Sequence, residues 1–311
     1  MSNKILVIGS SNMDLSMNLL KVPAPGQTVI DDGGVAYTPG GKGANAAVAL
    51  SKLGGYTVFC TKLGADVHGQ RLFTYYKENR IDTRYVKVDH DAPTGFAVVM
   101  KEASGENRIV VYPGANGNLN TDNILEAFSC QPDAVYLGFE IPFPLVVSAA
   151  KIAAERGIPV FIDAAPASKE QPLESLPPVE IFSPNETETL EYTGITPSGS
   201  ESCLRAAYQL YSKVKCRYVV IKLGARGAFI FDGKHCDMIP PYKPDRVVDT
   251  TAAGDTFTAA MTLEYLRNGG SIVSAVNYGA AAAAICVSRK GASTSIPSAP
   301  EVRHFMETRK N

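Results

Sequence analysis

The sequence predicts an α/β protein: a parallel central sheet with helices on both faces, plus a small antiparallel β lid. Three observations carry this reading. From Pro113 onward, short apolar strands alternate with helix-length segments, the pattern of a parallel sheet covered on both sides. Two stretches, 15–38 and 94–112, break that rhythm with short alternating segments punctuated by Gly and Pro, so they project as a separate strand set. No internal repeat or linker divides the 311 residues. The chain therefore reads as one domain, 1–311, with about 12–39 and 94–112 inserted as the lid.

Composition narrows the function classes. Hydrophobic residues make up 45% and charged residues 20%, with a formal net charge of -1 and no basic block. That argues against nucleic acid or a membrane surface as a partner. The six cysteines are scattered, with no C-x-x-C and no histidine cluster beside them, so buried thiols in a reduced, cytoplasmic setting are expected rather than zinc. The apolar run Ile5–Ile8 is too short for a signal-peptide core, and Ala280 to Val287 is far short of a membrane span.

In chain order, Lys4 to Ile8 reads as a buried strand ending at Gly9. Asn12 and Asp14 follow at its carboxyl end, where open α/β sheets bind ligands; they suit a polyhydroxy ligand and equally a plain turn. Residues 15–38, with pieces such as Thr28-Val29-Ile30, fit no long helix. Gly40-Gly41-Lys42-Gly43-Ala44-Asn45 then starts a helix that stops at Gly54-Gly55. Its glycines suit a tight turn over a ligand, with Lys42 and Asn45 as donors. It is not a Walker A loop, because Ala36 and Gly43 stand where Gly and Ser or Thr are needed. Thr57 to Leu63 is a strand, and a helix runs through Arg71 to Glu78. Thr94 to Met100 and Arg108 to Tyr112 form a hairpin around Ser104-Gly105-Glu106-Asn107. Its apolar side (Ala97, Val99, Ile109, Val111) needs a partner, either the substrate or a second subunit. Strands at Asp133 to Gly138, Ile158 to Asp163, Glu180 to Ser183, Arg217 to Leu223 and Ala228 to Phe231 follow, with a helix at Ser148 to Arg156.

The chemistry concentrates near the end of the chain. Asp249 to Phe257 leads into a helix, Thr256 to Arg267, that closes at Gly269-Gly270. Ala252, Ala253 and Gly254 are small and leave backbone N–H groups free at a helix start, where negative charge is favoured. Asp255 is a carboxylate beside that site. A base next to an anion hole is what phosphoryl transfer to a hydroxyl requires; an Asp there also suits a simple helix cap. Asn185 with Glu186 and Glu188 could hold Mg²⁺ through water or merely cap a helix. Lys222-Leu223-Gly224-Ala225-Arg226-Gly227 is a strand and glycine turn across which a nucleotide could lie, or an ordinary β-turn. Carbonyls around Arg289 to Ser295 and Asp249 to Thr251 could ring a hard cation. No G-x-G-x-x-G follows a strand, no G-x-S-x-G occurs, and none of the four histidines has a metal-like partner.

Taken together, Gly9 to Asp14, Gly40 to Asn45, Pro184 to Glu188, Asp249 to Phe257 and Ser288 to Gly291 resemble the PfkB-type carbohydrate kinases, and within that family the ribose kinases, along nearly the whole chain. The resemblance implies ATP-dependent phosphorylation of D-ribose at its 5-hydroxyl, giving D-ribose 5-phosphate and ADP. Asp255 would be the base and Ala252, Ala253 and Gly254 the anion hole. Asn12, Asp14, Gly40, Gly41, Lys42, Asn45 and Glu140 would contact the sugar. Asn185, Lys222, Leu223, Gly224, Ala225, Arg226, Gly227, Gly254 and Ala280 would contact ATP, and Glu188 would support Mg²⁺. Asp249, Thr251, Cys286, Arg289, Gly291 and Ser295 would enclose an activating K⁺. The lid would close over the sugar and join two subunits as a homodimer. Three positions depart from the family pattern: Thr258 stands where Asn is usual, Lys222 where Thr is usual, and Ala280 where a larger polar residue often borders the adenine. The other acceptors to weigh are 2-deoxyribose, a nucleoside or another sugar; a non-catalytic sugar sensor is the reading from a different class.

Overall fold

The computed structural model describes residues 3–30, 33–102 and 107–309. The chain opens on strand β1 (Lys4–Ile8) and enters a small sheet through β2 (Asn12–Leu19) and β3 (Val35–Gly40). Helix α1 (Lys42–Lys52) leads back to β4 (Tyr56–Gly64), followed by α2 (Val67–Glu78) and β5 (Val86–Asp89). A second excursion, β6 (Gly95–Glu102) and β7 (Asn107–Tyr112), completes the small sheet. Then come α3 (Thr121–Ala127), β8 (Ala134–Gly138), α4 (Phe143–Glu155), β9 (Val160–Asp163), β10 (Val179–Ser183), α5 (Glu186–Thr193) and α6 (Ser200–Val214). Strands β11 (Cys216–Lys222), β12 (Ala228–Phe231) and β13 (Cys236–Ile239) precede helices α7 (Ala253–Arg267), α8 (Ile272–Val287) and α9 (Ala299–Thr308).

The main sheet has the order β13-β12-β11-β10-β9-β8-β1-β4-β5. From β11 to β5 every pairing is parallel, while β12 and β13 add an antiparallel edge. Side-chain alternation along β1 explains why both faces are covered. Ile5 and Val7 pack toward α1, α7 and α8, and Leu6 and Ile8 toward α3, α4 and α6; all four are fully buried. The strand order reverses at β1, which has β4 on one side and β8 on the other. That switch point opens a crevice at the carboxyl ends of the strands, where α/β sheets hold ligands.

The small sheet has the order β3-β2-β6-β7. Its outer pairs, β2/β3 and β6/β7, are antiparallel, and its central pair, β2/β6, is parallel. The register places Asp14 opposite Ala97 and Ser16 opposite Val99, with Val111 and Ile109 one strand further out. The face expected to be purely apolar therefore also carries Asp14 and Ser16, and it turns toward the crevice. The opposite face, with the exposed Val35, Tyr37, Val110 and Tyr112, is the more apolar one. The segment Thr28-Val29-Ile30 forms no strand, and Ile30 is 99% exposed. The hairpin turn at Ser104 to Glu106 lies outside the described residues.

Helix starts fall earlier than the sequence reading places them. Helix α7 begins at Ala253 because Ala252 adopts a left-handed conformation, with φ of 62°, that turns the chain into the helix. Asp66 caps α2 by accepting a bond from the Gly69 N–H at 2.8 Å. Among the described residues all six cysteines are free, and no helix is long and apolar enough to cross a membrane.

Candidate active site

Strands β1, β8, β9, β10 and β11 all end on one side of the sheet. Their carboxyl ends deliver, in spatial order, Asn12 and Asp14, Glu140, Asp163, Asn185 and Lys222. Helix α7 presents its N-terminal turn to this row. Asp255 sits in that turn and is 4% exposed. Its Oδ2 accepts a 2.8 Å bond from Asn45 Nδ2, and Lys42 Nζ lies 3.5 Å from its Oδ1. Asp255 caps nothing by its side chain, since α7 has no side-chain cap. The simple cap reading of this residue therefore falls, and its carboxylate is turned onto the two donors of α1. Its charge holds the Lys42 ammonium protonated well above the ordinary lysine range.

Glycines allow α1 to approach this closely. A Cβ on Gly43 would lie 2.6 Å from the Gly9 carbonyl carbon and the Ser10 nitrogen, so α1 starts directly against the β1–β2 turn. A Cβ on Gly40 would fall 2.0 Å from Asp14 Oδ2; the missing side chain is the space the Asp14 carboxylate fills. Gly41, at φ 89°, turns the chain there.

The polar cluster at the β1 end is partly wired and partly open. Glu140 accepts bonds from Ser10 Oγ (2.5 Å) and the Lys42 backbone N–H (2.9 Å). Asn12 Oδ1 accepts a 2.9 Å bond from Asn116 Nδ2, which leaves the Asn12 NH₂ group for a ligand. Two buried oxygens, Asp14 Oδ1 and Asn45 Oδ1, have no partner. Unpartnered buried acceptors are costly, and a ligand hydroxyl would satisfy them. Burial, then the charges of Glu140 and Asp255, push the Asp14 carboxyl up from 3.8 to about 7. A cavity of about 270 Å³ runs from Asp14 under the small sheet to Asp249 and Thr251.

On the other side of the α7 start lies a cleft of about 880 Å³. Asn185, Lys222, Gly224, Ala225, Gly227, Gly254 and Ala280 all line it. Leu223 and Arg226 do not. Leu223 is buried in the core, and the Arg226 guanidinium binds the Ser198 and Pro197 carbonyls and Glu186. Its walls also use residues that the sequence reading passed over: Tyr242, Val247, Phe257, Ala283 and Val287. Asn185 and Glu188 form a reciprocal cap: Asn185 Oδ1 accepts from the Glu188 N–H, and Glu188 accepts from the Asn185 N–H (2.7 Å) and Nδ2 (2.9 Å). Each Glu188 oxygen thus accepts one bond from Asn185, and Glu188 fixes the position of Asn185. Burial raises the Glu188 carboxyl, against the opposing charge of Lys222. Among the described residues no cluster of three His, Cys, Asp or Glu side chains suits a metal.

The loop 249–251 and the segment after α8 meet beside this cleft. Asp249 Oδ1 accepts from the Thr251 N–H (3.0 Å) and Oγ1 (2.5 Å), while its Oδ2 accepts from Lys101 Nζ (2.9 Å) and the Gly291 N–H (3.4 Å). Burial alone would raise this carboxyl, but the bonds from Thr251 and Lys101 hold it at about 2. Cys286 Sγ lies 3.0 Å from Ser295 Oγ and 3.8 Å from the Thr251 carbonyl. Arg289 sends its guanidinium away to Glu301, so only its backbone stays near the loop.

A buried carboxylate in the first turn of a helix, held by an amide and an ammonium and adjacent to Gly254 at the edge of an apolar cleft, is an arrangement that suits an enzyme moving a phosphoryl group onto a hydroxyl. Comparison with known proteins narrows that class. Residues 2–299 match the pfkB family carbohydrate kinases, and the chain belongs to that family. It is 32% identical to the ribokinase of Staphylococcus aureus over 304 residues, covering 97% of this chain and 99% of that one. With the ribokinase of Haemophilus influenzae it shares 34% over 310 residues, 99% of each. The structure of the Arabidopsis thaliana ribokinase complexed with ribose and ATP superposes with a TM-score of 0.89 at 32% identity over 99% of both chains.

Proposed function

We propose that this chain is an ATP-dependent kinase of D-ribose, transferring the terminal phosphoryl group of ATP to the 5-hydroxyl and releasing D-ribose 5-phosphate and ADP. The observation that carries the reading is the placing of Asp255: buried in the first turn of α7, bonded to Asn45, paired with Lys42, and next in the chain to Gly254, which lines the large cleft. The ribokinases that the chain resembles, and the ribose and ATP held by the Arabidopsis enzyme, support the choice of acceptor and donor.

In this mechanism the sugar lies over β1 and α1. Asp14, whose Oδ1 lacks a partner, and the free NH₂ of Asn12 bind its hydroxyls, while Glu140, Gly40 and Gly41 shape the floor. Asp255 takes the proton of the attacking hydroxyl, and Lys42 and Asn45 hold the carboxylate in place. The N–H groups at the start of α7 bind the transferring phosphoryl group, aided by the helix dipole; that of Ala253 already donates to the Thr250 carbonyl at 3.2 Å, which leaves its neighbours, Gly254 above all, for the phosphoryl oxygens. The adenosine portion of ATP occupies the cleft beside Ala280, with Asn185 and the turn 224–227 along the polyphosphate. The nucleotide's phosphates would hold Mg²⁺, with Glu188 supporting it through Asn185. The oxygen set formed by the Asp249 carboxylate and the carbonyls around Thr251, Arg289 and Gly291, near Cys286 and Ser295, suits a hard monovalent cation such as K⁺. Such an ion would stiffen the loop that carries Ala252. Residues 12–39 and 94–112 act as a lid within one domain. The outer apolar face of that lid joins two copies as a homodimer, which light scattering at micromolar concentration tests.

An ADP-release assay over ribose, 2-deoxyribose, other pentoses and nucleosides tests the assignment. Ribose should give the highest kcat/KM; a clear preference for a nucleoside would overturn it.

A further inference from the structure

Lys222 differs from the residue usual at its position, and the structure gives it surroundings of its own. Its side chain ends β11 and lines the nucleotide cleft, yet is only 9% exposed. Its Nζ lies 3.0 Å from both oxygens of Asp163, at the end of β9, and 3.2 Å from Thr258 Oγ1. Thr258, also different from the family pattern, donates its own hydroxyl hydrogen bond to the Gly254 carbonyl at 3.1 Å. A Cβ built on Gly254 would sit 3.8 Å from the ammonium. The charge is therefore fixed where the cleft meets the start of α7.

The charge inventory shows what such a group is for. Asp14, Glu140, Asp163, Glu188 and Asp255 crowd the carboxyl ends of the strands and the start of α7, and a polyphosphate entering beside them meets repulsion. Lys42 answers Asp255. Of the residues lining the cleft, only Lys222 and Lys243 are cationic, and Lys243 is exposed. A buried ion pair of this kind seldom adds net stability over an apolar pair, since desolvation cancels most of the attraction. The ammonium's three N–H groups face three acceptors, two on Asp163 and one on Thr258, which pins its position; a phosphoryl oxygen takes over the longer contact now made to Thr258.

We propose that Lys222, held by Asp163 and Thr258, contacts the terminal phosphoryl group of the bound nucleoside triphosphate and makes the site favour triphosphate over diphosphate. The inference rests on the ATP-kinase reading above. The lysine forms and breaks no covalent bond. It compensates charge on the phosphoryl oxygens as the bond to the leaving ADP lengthens, and a charge-assisted contact of this kind changes affinity by about 10- to 100-fold.

Removing Lys222 alone would leave Asp163 as an unpaired buried charge, so the test uses neutral pairs: Lys222→Met with Asp163→Asn, and Lys222→Thr with Asp163→Asn. Binding of ADP and of the non-hydrolysable β,γ-imido analogue of ATP is measured by calorimetry with Mg²⁺ present, and folding is followed by thermal unfolding. The wild type comes first. If it binds neither nucleotide, the kinase reading itself fails. If it binds both, either folded double variant should lose about 10- to 100-fold in affinity for the triphosphate analogue and less than about threefold for ADP. Equal loss for both nucleotides, or no loss for either, would overturn the role of Lys222 while leaving the kinase reading standing.

Discussion

Replacing Asp14 by Asn should make the unliganded protein more stable while weakening sugar binding. The Asp14 carboxyl fills the space left by Gly40, has an unpartnered buried oxygen, and faces the charges of Glu140 and Asp255. Its pKa is raised from 3.8 to about 7. Between those two values the folded chain holds a proton that the unfolded chain has released. Stability therefore falls as pH rises through that window. The protonated carboxyl's contribution is complete below 3.8 and gone above about 7. The gap between the two pKa values corresponds to roughly 4 kcal/mol at full ionisation, and water reaching the half-buried group lowers this to about 2–4 kcal/mol. An isosteric amide carries no charge to desolvate. Urea unfolding of both proteins at pH 8.5 and pH 5 measures the difference. Asp14→Asn should be more stable by about 2–4 kcal/mol at pH 8.5, with most of that gain lost by pH 5. Ribose affinity should fall in the same variant, the usual conflict between binding and stability in a preorganised site. An Asp14→Asn protein no more stable than the wild type at pH 8.5, or a gain that does not shrink at pH 5, would refute the reasoning.

Two further outcomes follow from the geometry. Gly43→Ala places a methyl group 2.6 Å from the backbone of Gly9 and Ser10, where no flexible side chain can yield. It should cost about 1–3 kcal/mol or more and lower ribose affinity, read by thermal unfolding and calorimetry. Asp249→Asn removes the charge that holds Thr251 and Lys101 and leads into Ala252. It should lower kcat by about 10-fold or more with little change in the KM for ribose, because it loosens the anion hole rather than the sugar pocket; a change confined to KM would contradict this.

Much of the fold was legible because its signals are local. Short apolar runs mark β1, β8 and β9, and closing glycines mark the end of α7, within a few residues. Weaker elements were not. Strand β13 is mostly exposed, β5 is interrupted by Lys87 and Asp89, and α3 is a short polar-flanked helix, so none carries a strong apolar run. Helix α7 starts three residues before Thr256 because the left-handed turn at Ala252 is a backbone choice that a small side chain permits but does not announce. In the site, Asp255, Lys42, Asn45 and Glu140 meet as expected. Partnerships that join distant strands were invisible: Lys222 with Asp163, Asn12 with Asn116, and Lys101 of the small sheet with Asp249. Each is long-range in sequence and depends on the strand order. The apolar walls from Tyr242, Phe257 and Ala283 were missed for another reason. Their residue types look like ordinary core until the helices are placed.

The central claim is that Asp255 removes the proton from the attacking sugar hydroxyl, and the kinetics of Asp255→Asn test it most directly. ADP release with saturating ribose and ATP should fall by about 10² to 10⁴, because the amide keeps the shape and loses the base. The dissociation constant for ribose, measured without nucleotide, should stay within about threefold, since Asp14, Asn12 and Lys42 remain. Turnover within tenfold of the wild type would show that the proton leaves by another route.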